Sequence, residues 1–247
     1  IFDMGSLHDK KMALATGYLN FIGSEKLSAS ALQQEFYKLG CSFNVHTSSD
    51  QLYVSVSGLQ RNIQPAVELL EDFLAHPQAD SSSYESYVAR ILKSRNDAKL
   101  NKRSILSSAL MSYAKYGKNS AYLNKLSETE LKSIDPTELT TLVKGLSNYD
   151  HRVLYYGPAE QPAIEKLLAK CHKFSKKPTG LPEKTNYVEL PMNKNKVLFV
   201  EYDMVQAEII LLSKSKQYDP TLIPQTQIFN EYYGGNMGSI VFQEMRE

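Results

Sequence analysis

The sequence contains no tryptophan, only two cysteines and no long apolar run. A membrane-crossing helix needs about 20 consecutive apolar residues. The best stretch here, Val205 to Leu212, is broken by Gln206 and Glu208. The chain opens Ile-Phe-Asp-Met-Gly, without a basic start leading into an apolar stretch, so no signal peptide is read at this end. The formal net charge of +1 lacks the basic excess of a dedicated nucleic-acid binder. Cys41 and Cys171 stand in no metal-type spacing and fit either a disulfide or two free core thiols. No Gly-x-Ser-x-Gly elbow of a serine hydrolase occurs. The glycine-rich stretch Gly234 to Ser239 lacks the lysine that would reach a phosphate, and it reads as a turn opening a helix.

What is present suits a soluble globular chain. Apolar residues make up 42 % of the 247 positions and charged residues 22 %, enough for one large core or two ordinary ones. Ser28 can cap a helix whose Leu32, Phe36 and Leu39 share a face, and Gly40 suits its stop. Leu52, Val54 and Val56 alternate with polar residues, predicting a strand hairpin-paired with Cys41 to Asp50. Apolar stripes predict helices through Ile63 to Leu74, from about Ser83 to Arg95, and from Ser104 to Lys115 with a stop at Gly117. Asp135-Pro136-Thr137-Glu138 reads as a capping box with Pro at the first helical position. His151 to Tyr156 reads as a strand, followed by a helix carrying Ile164, Leu167, Leu168 and Cys171.

Beyond Lys173 the composition turns to proline and lysine, and residues 176–194 are expected to form a linker. Lys196–Tyr202 and Val205–Ser213 then read as strands, and Asp219-Pro220 opens a helix to about Tyr233. A last helix begins at Ser239. The expected organisation is α+β: one domain over 1–175, the linker, and the truncated start of a second, similar domain over 195–247.

Several stretches resemble, in order, the pitrilysin/insulinase family of zinc metallopeptidases. Tyr18 to Lys26 with Leu32 to Gly40 resembles the family's first helix, its Gly-Thr turn and the next helix. Ser42-Phe43-Asn44 with Asp50 to Gly58 is similar to the following hairpin, and Val67 to Pro77 to the helix with its apolar–x–x–Pro stop. Tyr155-Tyr156-Gly157-Pro158 resembles the strand that closes the domain. Gly234 to Ser239 with Val241 to Glu247 resembles the Gly-Gly turn and helix of the next domain. The resemblance implies an antiparallel sheet with helices packed mainly on one face, used repeatedly. It also implies a catalytic half and a degenerate half that enclose a chamber for peptides.

The family's zinc site is His-x-x-Glu-His on a helix. The two histidines hold the metal and the glutamate polarises the attacking water. Counted back from Gly23-Ser24, those positions fall on Leu14, Gly17 and Tyr18, and the third ligand falls near Ser94. The resemblance is therefore to the non-catalytic half. No cofactor is expected on this chain, and zinc is expected in the catalytic half. The implied partners are that catalytic half, in the same chain or as a separate subunit, and peptide substrates. Arg246 matches a family arginine that reaches the substrate near the zinc, with a tyrosine two helical turns later that would fall beyond Glu247. Arginine suits a substrate carbonyl or its developing oxyanion; the plainer reading is a solvated face over Glu244–Glu247. His8, His46, His76, His151 and His172 share no helical spacing and read as exposed or strand-edge residues. Lys93, Arg95, Lys99, Lys102 and Arg103 read as a solvated helix face. The family resemblance suggests a bacterial periplasm or cell envelope. The same loss of ligands also fits a non-enzymatic scaffold subunit, and an independent peptide binder using a free sheet edge is a third reading.

Overall fold

The computed structural model describes residues 1–175, 177–214 and 217–246, the last without its side chain. The linker expectation at Lys176, the second-domain expectations at Ser215, Lys216 and Glu247, and the side chain of Arg246 lie outside the described residues. The chain divides into two compact units: 1–191 with 197–205, and 192–196 with 206–247.

The first unit is α+β. Strands β1 (Cys41–Thr47) and β2 (Leu52–Gly58) form an antiparallel hairpin in which Phe43 faces Val56 and Val45 faces Val54. The period of two sends Cys41, Phe43, Val45, Leu52, Val54 and Val56 to the core. His46 and Tyr53 stack on the opposite face at 4.8 Å. Helices α1 (Lys10–Tyr18), α2 (Ala29–Lys38) and α3 (Ile63–Ala75) pack against the hairpin, and α8 (Pro136–Lys144) packs on α1 and α3. The centre is a chain of rings. Phe36 of α2 meets Phe43 of β1 at 4.6 Å, and Phe43 meets Phe73 of α3 at 5.7 Å.

Local chemistry sets the helix ends. Asp9, Ser28 and Asp80 each accept a backbone N–H at the start of α1, α2 and α4 (Ser81–Lys99). Gly40 ends α2 at a φ of +60°, a conformation glycine adopts without strain. After α4 the chain continues through α5 (Lys102–Ser104), a π-helical stretch Ile105–Leu110 and α6 (Met111–Tyr116), and stops at Gly117. Helix α9 (Gln161–Cys171) packs on α3.

Three expectations are corrected. The capping box lies at Ser127 and Glu130, where it opens the unforeseen helix α7 (Glu128–Ser133). Asp135 caps α8 alone, because Glu138 turns instead to the Lys11 ammonium at 2.5 Å. The strand at 151–156 shrinks to one bridge: Phe2 pairs with Leu52 on one side and His151 on the other, and no second residue extends the ladder. No strand forms over 196–213 among the described residues. No β-bridge joins these stretches to another segment among the described residues, and a strand needs a neighbour to satisfy its backbone groups. Cys41 and Cys171 are buried free thiols.

In the second unit, α10 (Ile223–Asn230) runs into a π-helical turn Glu231–Gly235. Asn236 accepts the Gly238 N–H at 2.8 Å, and α11 (Ile240–Arg246) follows.

Candidate functional site

Three of the positions that the resemblance assigns to the zinc site lie on α1, and side chains of the first unit occupy the space around them. Leu14 is buried, with no donor atom to offer a metal. A Cβ on Gly17 would lie 2.0 Å from the Tyr87 hydroxyl, so Tyr87 of α4 fills the space a side chain at 17 needs. Tyr18 is fully buried. Its hydroxyl donates to the Asp80 carbonyl at 2.6 Å and accepts the Asp80 N–H at 2.8 Å. Tyr18 therefore clasps the residue that caps α4.

An aromatic cluster surrounds this clasp. Tyr84 meets Tyr18 edge-on at 5.5 Å, Tyr87 stacks at 6.2 Å, and Phe21 leans on Tyr87 at 4.8 Å. Loss of water on burial raises the pKa of Tyr18, Tyr84 and Tyr87, with Tyr84 pushed up to about 12. Each is held as a phenol, a poor metal ligand. Ser94, the expected neighbour of the third ligand, is exposed on α4. Among the described residues, no group of three or more His, Cys, Asp or Glu side chains could hold a metal ion. These residues do not fit zinc.

The Tyr84 hydroxyl donates to the Leu131 carbonyl at 2.7 Å and ties α4 to α7. Its raised pKa has a stability consequence. The folded value lies above the unfolded one of about 10. The contribution is therefore full below that pH and is lost as pH rises through about 12. Urea midpoints measured from pH 9 to 12 should fall more steeply for the parent chain than for Tyr84→Phe.

Beside Leu14 lies a cavity of about 340 Å³ between α1, α4, α7 and the segment after α6. Leu14, Ile91, Leu126 and Leu131 give it apolar walls, while Lys10, Arg95 and Lys125 bring positive charge. The basic run from Lys93 to Arg103 predicts a solvated face for Arg95. The structure instead turns it to the cavity, where its Nη1 donates to the Leu126 carbonyl at 2.7 Å. One residue before the lining Ala121, the buried Ser120 hydroxyl has no hydrogen-bond partner among the described residues. A buried orphan of this kind costs about 1–3 kcal/mol. Ser120→Ala should raise stability by about 1 kcal/mol in urea unfolding. A loss of that size would show that the hydroxyl is satisfied in solution.

The histidines are not all scattered. His151 and His172, 21 positions apart, bring their Nε2 atoms to 2.6 Å. His172 Nδ1 meets the Glu71 carboxylate at 2.6 Å, and His151 Nδ1 meets the Tyr149 carbonyl at 3.0 Å. The Tyr149 carbonyl can only accept, so His151 Nδ1 donates to it. Helical spacing could not have revealed this pair, because α9 carries His172 back to the bridge at His151 only in the fold. Arg246 closes α11.

A sequence profile of the family Insulinase (Peptidase family M16) matches residues 1–125. The chain belongs to this insulinase family of peptidases. Solved structures extend the likeness of fold. The periplasmic protease PqqL from Escherichia coli superposes with a TM-score of 0.58 at 15 % identity, over 76 % of this chain and 21 % of that one. The ferredoxin protease FusC, solved with Arabidopsis ferredoxin, gives 0.59 at 16 % identity over the same shares. A Helicobacter pylori protease gives 0.57 at 13 % identity, over 76 % of this chain and 47 % of that one. This insulinase-family chain thus spans about a fifth of the length of PqqL and FusC. No curated protein sequence matches it.

Proposed function

We propose that this chain is part of the non-catalytic half of a zinc endopeptidase. It would close the substrate chamber opposite a half that carries the zinc, in the same chain or as a separate subunit. The observation that carries this reading is the burial of Leu14 and Tyr18, with Tyr87 filling the space at Gly17, in a chain of the insulinase family. The domain boundaries proposed are 1–175 and 195–247, joined by 176–194. The likeness to a periplasmic protease supports a place in the bacterial periplasm or envelope.

The chain alone should cleave no unstructured peptide in a zinc-dependent way. Cleavage abolished by a chelator and restored by zinc would overturn the reading. Arg246 is proposed to contact the substrate from α11. In the complete enzyme, Arg246→Ala should lower kcat/KM about 100-fold, the scale of a lost oxyanion donor, at unchanged zinc content. An unchanged kcat/KM would remove Arg246 from the site.

A further inference from the structure

We propose that the cavity beside Leu14 binds the free C-terminal carboxylate of a peptide that ends in an apolar residue. Its volume of about 340 Å³ stands at the small end of ligand pockets, which run from about 300 to 1,000 Å³. That is room for a terminal residue rather than for a length of strand. The walls made by Leu14, Ile91, Leu126 and Leu131 suit an aliphatic side chain.

The charges around it are one-sided. Among the described residues, no carboxylate pairs with Lys10, Arg95 or Lys125. Glu130, whose carboxylate feels Lys10, is already engaged: it accepts the Ser127 N–H at 2.6 Å in the capping box of α7. Arg95 commits one N–H to the Leu126 carbonyl, which fixes the guanidinium plane. A guanidinium has five N–H donors in a rigid fork that matches a carboxylate. Lys125 holds its ammonium 4.0 Å over the Tyr122 ring. Lost water, and then the Arg95 charge, lower its pKa from the usual lysine value. A carboxylate arriving between Arg95 and Lys125 removes that repulsion and gains two charge-assisted contacts. The amide of Asn124 donates to the Tyr187 hydroxyl, which holds the segment after α9 against the cavity and narrows it to the size of one residue. A phosphate would find the charge but no use for the apolar walls.

Binding is read on this chain alone and is therefore independent of the role proposed above. The probe is Ala-Ala-Ala-Leu labelled with fluorescein at its N-terminus, with either a free C-terminal carboxylate or an amide, followed by fluorescence anisotropy. The free acid should bind at least about tenfold more tightly than the amide, the worth of a charge-assisted hydrogen bond. Lys125→Met should weaken the free acid about tenfold. Lys166→Met, the same loss of charge at an exposed site on α9, should change it less than about twofold. Both lysines are exposed, and thermal melts of the two variants confirm that the fold is retained. Equal binding of acid and amide would overturn the assignment, and so would equal effects of the two lysine variants. Octanoate binding as tightly as the peptide would replace a peptide end with a simple aliphatic acid and would overturn it too.

Discussion

A chain carrying Leu14→His, Gly17→Glu and Tyr18→His together is expected to fold poorly and to bind zinc no better than the parent. The substitutions restore the motif on paper, but the helix face they restore is interior. A histidine at 14 puts a polar ring into an apolar wall, at about 1–3 kcal/mol if it finds no partner. A glutamate at 17 starts from a Cβ placed 2.0 Å from the Tyr87 hydroxyl, so the Tyr87 ring must leave its stack. A histidine at 18 gives up both bonds to Asp80 and leaves a void among Tyr84 and Tyr87. The three sites touch common neighbours, so their costs do not simply add. A total of about 5 kcal/mol is still a large share of the roughly 5–15 kcal/mol that keeps a domain folded. Urea unfolding and calorimetric zinc titration test this. Sub-micromolar zinc binding by a variant as stable as the parent would reveal a latent metal site and refute the packing argument.

Phe73→Ala should cost about 3–5 kcal/mol, the range for emptying a buried aromatic position. Phe73 is fully buried and edges onto Phe43, which in turn leans on Phe36. One truncation therefore loosens α2, α3 and the hairpin at a common point. For a unit of this size, each kcal/mol lowers Tm by about 2–4 °C, so a fall of about 10 °C is expected. Tyr37 is the control. It adjoins Phe36 in sequence but is 85 % exposed, so Tyr37→Ala should stay within about 0.5 kcal/mol. Equal losses for the two variants would mean that the ring chain is not the centre of the core.

The parts that sequence made legible are those decided by neighbours along the chain. Ser28, Gly40 and Gly117 mark helix ends by local bonding and backbone freedom, and they do so in the structure. The alternation of Leu52, Val54 and Val56 could be satisfied by the adjacent strand, so the hairpin was readable. The pattern over 196–213 looks the same on paper. No strand forms there among the described residues, because alternation alone does not supply a neighbouring strand to bond with. Asp135 and Glu138 have capping-box spacing, yet Glu138 has a better offer from Lys11 across α1. The missing zinc ligands were visible as residue types at Leu14, Gly17 and Tyr18. What replaced them was not, because Tyr87 and Asp80 reach those positions from another helix. In the sequence Arg95 is one charge in a basic run, and Lys125 stands 22 positions beyond its last member, Arg103. Their meeting at one cavity is a property of the fold.

The Tyr18 clasp also provides a way to watch the molecule move. The Asp80 N–H is bonded to a side chain 62 positions away, not to its own helix. It can exchange with deuterium only when α1 lifts from the start of α4. The Ser83 N–H, held by Asp80 within the same turn, is released by local fraying alone. The ratio of these two exchange rates reports the opening of one helix against another, read from two amides three residues apart.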